Sequence, residues 1–110
     1  MKVKDIVEKL NLKVVSGEDG LDREVRGVYC CDLLSWVMSH ASKGNVWITV
    51  QIHPNIVAVA SLLELSCIIV PENIEIEGVT IEKSNQEAIP ILQAGVNSYQ
   101  LCLKLNSMGV

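Results

Sequence analysis

Residues 46–65, VWITVQIHPNIVAVASLLEL, constrain this chain more than any other stretch. Val46 to Ile52 read as a strand, the polar group Gln51-Ile52-His53-Pro54-Asn55 turns the corner, and a helix begins near Asn55. From Ile56 to Leu65 only Ser61 and Glu64 are polar. A helix apolar almost all round must be buried on more than one side. In a small domain a sheet covers one side only. The other side is either a dimer interface, built from Ile56, Val59, Ala60 and Leu63, or it is covered by the N-terminal helix or the helix after Asp32.

The rest of the chain repeats this strand-to-helix rhythm. Val3, Ile6, Val7 and Leu10 fall at i, i+3, i+4 and i+7, which predicts an amphipathic helix. Leu12, Val14 and Val15 form a short apolar group, and Ser-Gly-Glu-Asp-Gly supplies a turn. Leu21 to Tyr29 reads as an irregular second strand, and Asp32 is a suitable N-cap for a helix carrying Leu33, Leu34, Trp36, Val37 and Met38, stopped by Gly44-Asn45. Three strand-helix units then follow, with strands at Val46–Ile52, Cys67–Val70 and Pro90–Leu92 and helices from about Asn55, Thr80 and Asn97. The acidic stretch Glu72 to Gly78 reads as a loop. Alternation of this kind predicts an α/β fold. The expected architecture is one compact domain over residues 1–110, with a small, mostly parallel sheet of repeated βα units and helices on both faces.

A chain of 110 residues can bury roughly 65% of its unfolded surface, enough to stand without staples. Its hydrophobic content of 49% and mean hydropathy of +0.32 are high for a small domain with proportionally much surface. The excess predicts a partner, most simply a second copy. The net charge is −4 and Lys and Arg form no basic run, so nucleic acid is not expected as a partner. The N-terminus mixes charged and apolar residues unlike a signal peptide, and no apolar run approaches ~18 residues, so a cytoplasmic protein with no membrane partner is expected. The four cysteines and two histidines show no metal-ligand spacing. Each cysteine is expected to be a buried free thiol, and no metal or cofactor is predicted.

The strand-helix junction carries the chemistry. Alternation puts Val46, Ile48, Val50 and Ile52 on one face and Trp47, Thr49, Gln51 and His53 on the other, which grows more polar toward the carboxyl end. Ligands of open parallel sheets bind at that end. Asn55 is a suitable N-cap there, and a helix start favours anions. Thr49, Gln51, His53 and Asn55 could therefore converge on one small ligand. They can equally satisfy neighbouring backbone groups, as buried polar groups must in any fold. No phosphate-binding loop, nucleophile elbow, dinucleotide fingerprint or zincin helix is present. Ser35, Ser39 and Ser42 lie at the wrong separations from His40 to share a helical face with it. His40 is expected to meet the helix's terminal carbonyls, and Asp22-Arg23 reads as a charged turn.

In order along the chain, LDREVRG, CDLLSWVMSHASKGNVWITVQIHPNIVAVASLLELSCIIVPE and EAIPIL resemble the DRTGG domain family, over essentially all of the sequence. The most specific part is Asp32-Leu33-Leu34-Ser35, Val37-Met38, Trp47-Ile48-Thr49, Gln51, His53, Asn55 and Ala58-Val59-Ala60. Asp22, Arg23 and Gly27 match the name-giving motif, whereas Glu24, Val25, Val28 and Cys30 depart from it. In that family the domain accompanies CBS modules in certain pyrophosphatases and also phosphotransacetylases, and a similar domain precedes the kinase domain of HPr kinase/phosphorylase. The resemblance implies a regulatory or assembly module. Asp22, Arg23 and Asp32, which carry part of it, join Thr49, Gln51, His53 and Asn55 as candidate ligand contacts.

Two functional expectations result. The first is a stand-alone, non-catalytic regulatory domain that homodimerises and modulates a separate enzyme or signalling protein. The second is a sensor of a nucleotide or other anion at the carboxyl edge near Gln51, His53 and Asn55. Catalysis is not expected, because phosphoryl transfer needs positioned phosphate and metal ligands.

Overall fold

A computed structural model describes residues 1–110. Five helices, α1 (Val3–Leu10), α2 (Leu34–His40), α3 (Asn55–Leu63), α4 (Gly78–Glu87) and α5 (Ser98–Ser107), surround five short strands. The strands are β1 (Lys13–Ser16), β2 (Val28–Cys30), β3 (Val46–Ile48), β4 (Cys67–Val70) and β5 (Ile91–Gln93), joined in one sheet of order β1-β5-β4-β3-β2. β2, β3, β4 and β5 run parallel, and β1 pairs antiparallel with β5. The predicted α/β architecture is what the chain forms, a mostly parallel sheet with helices on both faces.

The two faces carry separate cores. Trp47, Ile68 and Ile91 meet Val37 of α2 and the buried side of α3 on one face, with Ile81 of α4 against them. Val46, Ile48, Cys67, Ile69 and Leu92 meet Val3 and Ile6 of α1 and Leu101 and Leu105 of α5 on the other. β4 lies at the centre, with all four of its residues buried. Such a continuous apolar run is what a strand covered on both faces requires. The chain steps from β2 to β5 always to the adjacent strand, and right-handed crossovers that step one way place their helices on one face. α2, α3 and α4 are those helices. The other face is left to α1 and α5.

α3 therefore finds its second cover within the chain, between α2 and α4. Ile56 and Ala60 are fully buried and Val59 is 6% exposed, while Leu63 is half-buried against the same cluster. The interface expected from Ile56, Val59, Ala60 and Leu63 is thus corrected: these residues belong to the domain's own core. The side of α3 left in solvent carries Ala58 and Leu62.

Several boundaries also differ from expectation. Of the Leu21–Tyr29 segment only Val28 and Tyr29 are strand, and β2 runs on to Cys30. The earlier part bonds to the N-terminus instead, through Lys4 N–H to the Leu21 carbonyl, Val3 N–H to that of Arg23 and Val25 N–H to that of Met1. β5 starts at Ile91 rather than Pro90, which has no N–H to give but accepts from Ile68. Asp32 and Asn55 do not cap helices: Leu33 and Pro54 occupy those N-cap positions. Asn97 does cap α5, in a reciprocal box with Gln100. Glu72 to Glu77 is loop, as predicted.

Residues 17–27 cross from β1 at one edge of the sheet to β2 at the other, along the amino ends of the parallel strands. Gly17 N–H donates to Asn85 Oδ1, Arg23 Nε to the Ala88 carbonyl before β5, and Arg26 N–H to the Gly44 carbonyl before β3. Gly17 has φ +72°, and a Cβ there would stand 2.1 Å from the Ile89 carbonyl oxygen. Both the backbone conformation and the backbone contact demand glycine. Gly17→Ala is expected to lower stability by more than about 2 kcal/mol, seen as a lower urea midpoint with unchanged slope.

Candidate functional site

The fold divides the seven candidate ligand residues between opposite ends of the strands. Asp32, Thr49, Gln51, His53 and Asn55 lie at the carboxyl edge, after β2 and β3. Asp22 and Arg23 lie in the crossing segment at the amino edge. They cannot form one site.

At the carboxyl edge three of the residues tie a closed knot. Thr49 Oγ1 and the Val50 N–H both donate to Asp32 Oδ1, each at 2.8 Å. Gln51 N–H donates to Thr49 Oγ1 at 3.1 Å, and Gln51 Nε2 to the Asp32 carbonyl at 3.1 Å. Thr49 is 1% exposed, so its hydroxyl needs these partners. Trp47 Nε1 reaches the Cys31 carbonyl at 2.8 Å and Cys31 N–H the Ile48 carbonyl at 3.2 Å, which bind the end of β2 to the same place. The Asp32 carboxylate draws the Val50 N–H toward itself, and β3 ends at Ile48. Alternation holds within the strand, where Val46 and Ile48 face α1 and α5 and Trp47 faces α3. It fails beyond it, since Ile52 packs on the Trp47 side rather than with Val46.

His53 and Asn55 take no part in the knot and are exposed. Thr80, read from sequence only as a helix start, is fully buried and donates to the Ile52 carbonyl at 2.6 Å. A buried β-branched hydroxyl in the first turn of a helix was its only signal. Gln93 Nε2 similarly holds the Ile74 carbonyl at 2.9 Å. The polar groups of this edge thus mostly bind one another.

At the amino edge Asp22 pairs with Lys4 at 3.0 Å, not with its neighbour Arg23. The hydrogen bond and charge of Lys4 hold the Asp22 carboxyl below its ordinary pKa, and Asp22 raises that of Lys4. A lowered carboxyl pKa stabilises the fold above the unfolded value near ~4, and this contribution is lost as pH falls through the lower folded value. Both side chains are largely in solvent, where such pairs count for little.

α2 presents an unusual surface for a short helix. Trp36 and His40 stack with centroids 3.9 Å apart and planes 14° from parallel. His40 Nδ1 lies 2.8 Å from Ser39 Oγ, so this serine does meet the histidine despite the separation read as wrong for it, and 3.0 Å from the carbonyl of Trp36, a turn inside α2 rather than at its end. Between α2 and α3 runs a groove of about 280 Å³ lined by Leu34, Met38, Asn55, Ala58, Val59 and Leu62. Leu62 is 68% exposed, and Leu33 and Trp36 are also more than half exposed.

The cysteines depart from the expectation of uniform burial. Only Cys67 is buried, its thiol pushed up to about 12 by desolvation. Cys30 is exposed, and Cys31 and Cys102 are half-buried. No group of three His, Cys, Asp or Glu side chains could hold a metal ion, and no helix is long and apolar enough to cross a membrane.

A three-layer α/β domain with a short, mostly parallel sheet, an internally bonded carboxyl edge and an exposed apolar groove has the form of a binding or regulatory module. The chain belongs to the DRTGG domain family, which matches residues 5–108. Its fold is similar to a crystal structure of the CBS and DRTGG domains of the regulatory region of a Clostridium perfringens pyrophosphatase, complexed with the activator diadenosine tetraphosphate. The two superpose with a TM-score of 0.75 at 16% identity, over 94% of this chain and 45% of that one. The chain thus spans less than half the length of that regulatory region. No curated protein sequence matches it significantly.

If the knot is structural, removing one member should leave the others unpaired. Asp32→Ala is expected to cost about 1–3 kcal/mol in urea unfolding, because it strands the buried Thr49 hydroxyl. Thr49→Val should cost markedly less in the Asp32→Ala background than in wild type, a coupling a double-mutant cycle would measure.

Proposed function

We propose that the chain acts as a non-catalytic regulatory or assembly domain that forms a homodimer and modulates a separate enzyme or signalling protein. The observation that carries this reading is the apolar groove between α2 and α3. Leu34, Met38, Ala58 and Leu62 leave a contiguous apolar strip in solvent beside a fully packed core. Strips of this kind mark interaction surfaces. The family supports the regulatory part of the reading, since the similar domain lies in the regulatory region of a pyrophosphatase. A second copy is the simplest cover, because a two-fold interface sets one patch against itself.

This reading replaces the interface expected from Ile56, Val59, Ala60 and Leu63 with the exposed side of the same helix. Leu62→Glu puts a charge in the middle of the strip and touches nothing in the core. Wild type at micromolar concentration should sediment as a dimer and Leu62→Glu as a monomer, with stability changed by less than about 1 kcal/mol per folded chain. A monomeric wild type would remove the homodimer from the proposal.

A second reading, a nucleotide or anion sensor, is favoured by one observation: the similar regulatory region was crystallised with a dinucleotide activator. In this chain Asp32, Thr49 and Gln51 are engaged with one another, so the groups free to meet a ligand at the carboxyl edge are His53 and Asn55. A panel of adenine and guanine nucleotides, including diadenosine tetraphosphate, tests this by thermal shift. At one hundred times Kd a ligand adds about 2.7 kcal/mol of stability. The sensor reading expects such a shift in wild type and its loss in His53→Ala. No shift, or an equal one in both, would overturn it.

A further inference from the structure

The sheet register places one exposed thiol on the face that α5 covers. Cys30 of β2 is paired with Ile48 of β3, just as Val28 is paired with Val46, and parallel partners point to the same face. Val46 and Ile48 belong to the core shared with α1 and α5, and Cys102 of α5 packs against that core. Cys30 and Cys102 therefore share the face of the sheet that α1 and α5 cover. The Cys30 thiol has Cys102 and Ser98, one turn apart on α5, as its neighbours, with the Asp32 carboxylate also acting on it. Cys31, next in sequence, points the other way and packs on the opposite core. Cys67 lies buried beneath the helices. Of the four cysteines, this pair alone joins two elements distant in sequence at an accessible place.

We propose that Cys30 and Cys102 form a reversible intrachain disulfide that ties β2 to α5 when the chain meets a low-molecular-weight disulfide such as glutathione disulfide. The exposed Cys30 thiolate attacks one sulfur of the oxidant, forming a mixed disulfide and releasing one glutathione thiolate. Cys102 then attacks the Cys30 sulfur, the Cys30–glutathione bond breaks, and the second glutathione leaves. Two protein thiols become one disulfide, the oxidant becomes two glutathione thiols, and the two protons pass to them. Desolvation and the adjacent Cys102 hold the Cys30 thiol above its ordinary pKa, so uncatalysed exchange at neutral pH is slow. Minutes to hours is the scale to expect.

The test is oxidation of the full chain in glutathione buffers of graded ratio, followed by intact mass and by peptide mapping without reduction. The expected product is monomeric, has lost two hydrogens, and yields one cross-linked peptide pair joining Cys30 to Cys102. Closing a loop of roughly 70 residues should raise Tm by on the order of 10 °C, reversed by dithiothreitol. Cys31→Ser should oxidise as wild type does, and Cys30→Ser should gain neither the cross-link nor the Tm rise. A Cys30–Cys31 link, a disulfide between chains, or glutathione adducts alone would overturn the proposal. Should Cys102→Ser fail to fold, the wild-type peptide map decides by itself.

Discussion

A parallel sheet must be covered on both faces, and nearly everything else in this structure is a consequence of meeting that demand with 110 residues. β4 is buried throughout, and β3 and most of β5 nearly so. The three crossovers supply only one face, because each step from strand to strand has the same sense. The second face must come from what lies outside the βα units. α1, which precedes them, and α5, which follows, provide it, with Ile6, Leu101 and Leu105 as fully buried anchors. The N-terminal segment then has to cross the whole sheet to start β2. It does so along the amino ends, where Gly17 and Gly20 pass so close to the Ala88–Ile89 backbone that a side chain has no room.

The βα units were readable from the sequence, since buried parallel strands are short, continuous apolar runs separated by segments of helical length, although the caps expected at Asp32 and Asn55 were not the ones used. What periodicity could not give was the neighbour of each face. α3 is apolar all round because it is the middle helix of three, yet a middle helix and a dimerising helix have the same composition. Ile56 and Ala60 could be placed only once α2 and α4 were seen on either side. β2 was overextended for a related reason. Val25 and Arg23 have backbone groups that a strand would use, but Met1 and Val3 at the N-terminus take them, and such competition between distant segments leaves no local mark.

The junction at the carboxyl edge shows the same ambiguity in polar form. Thr49 and Gln51 look like ligand contacts because they are polar residues at the end of a buried strand. In the fold they are the means of ending that strand. The Asp32 carboxylate offers the Val50 N–H a charge-assisted bond in place of a ladder partner. Asp32 was recognisable as a residue of consequence, but as a cap for α2 and, through the family resemblance, as a candidate ligand contact. Its role as acceptor for Thr49 and Val50 depends on β2 and β3 being neighbours, which spacing along one segment does not encode. The resemblance to the DRTGG family marked both segments without saying that they touch.

This knot also bears on how the groove can work. The backbone from Cys31 to Leu34 is held by Trp47 Nε1, by Gln51 Nε2 and by the bonds to Asp32 Oδ1, so α2 starts from a fixed point although it has only seven residues and no side-chain N-cap. Val37 then pins its far side into the core. Leu34 and Met38 are thereby set against Ala58 and Leu62 before anything binds. A surface ordered in advance loses little conformational entropy on association, and more of the free energy of burying its apolar side chains remains as affinity. The polar residues that resemble a ligand site thus brace the apolar strip beside it: their hydrogen bonds fix the start of α2, and with it Leu34 and Met38 against α3.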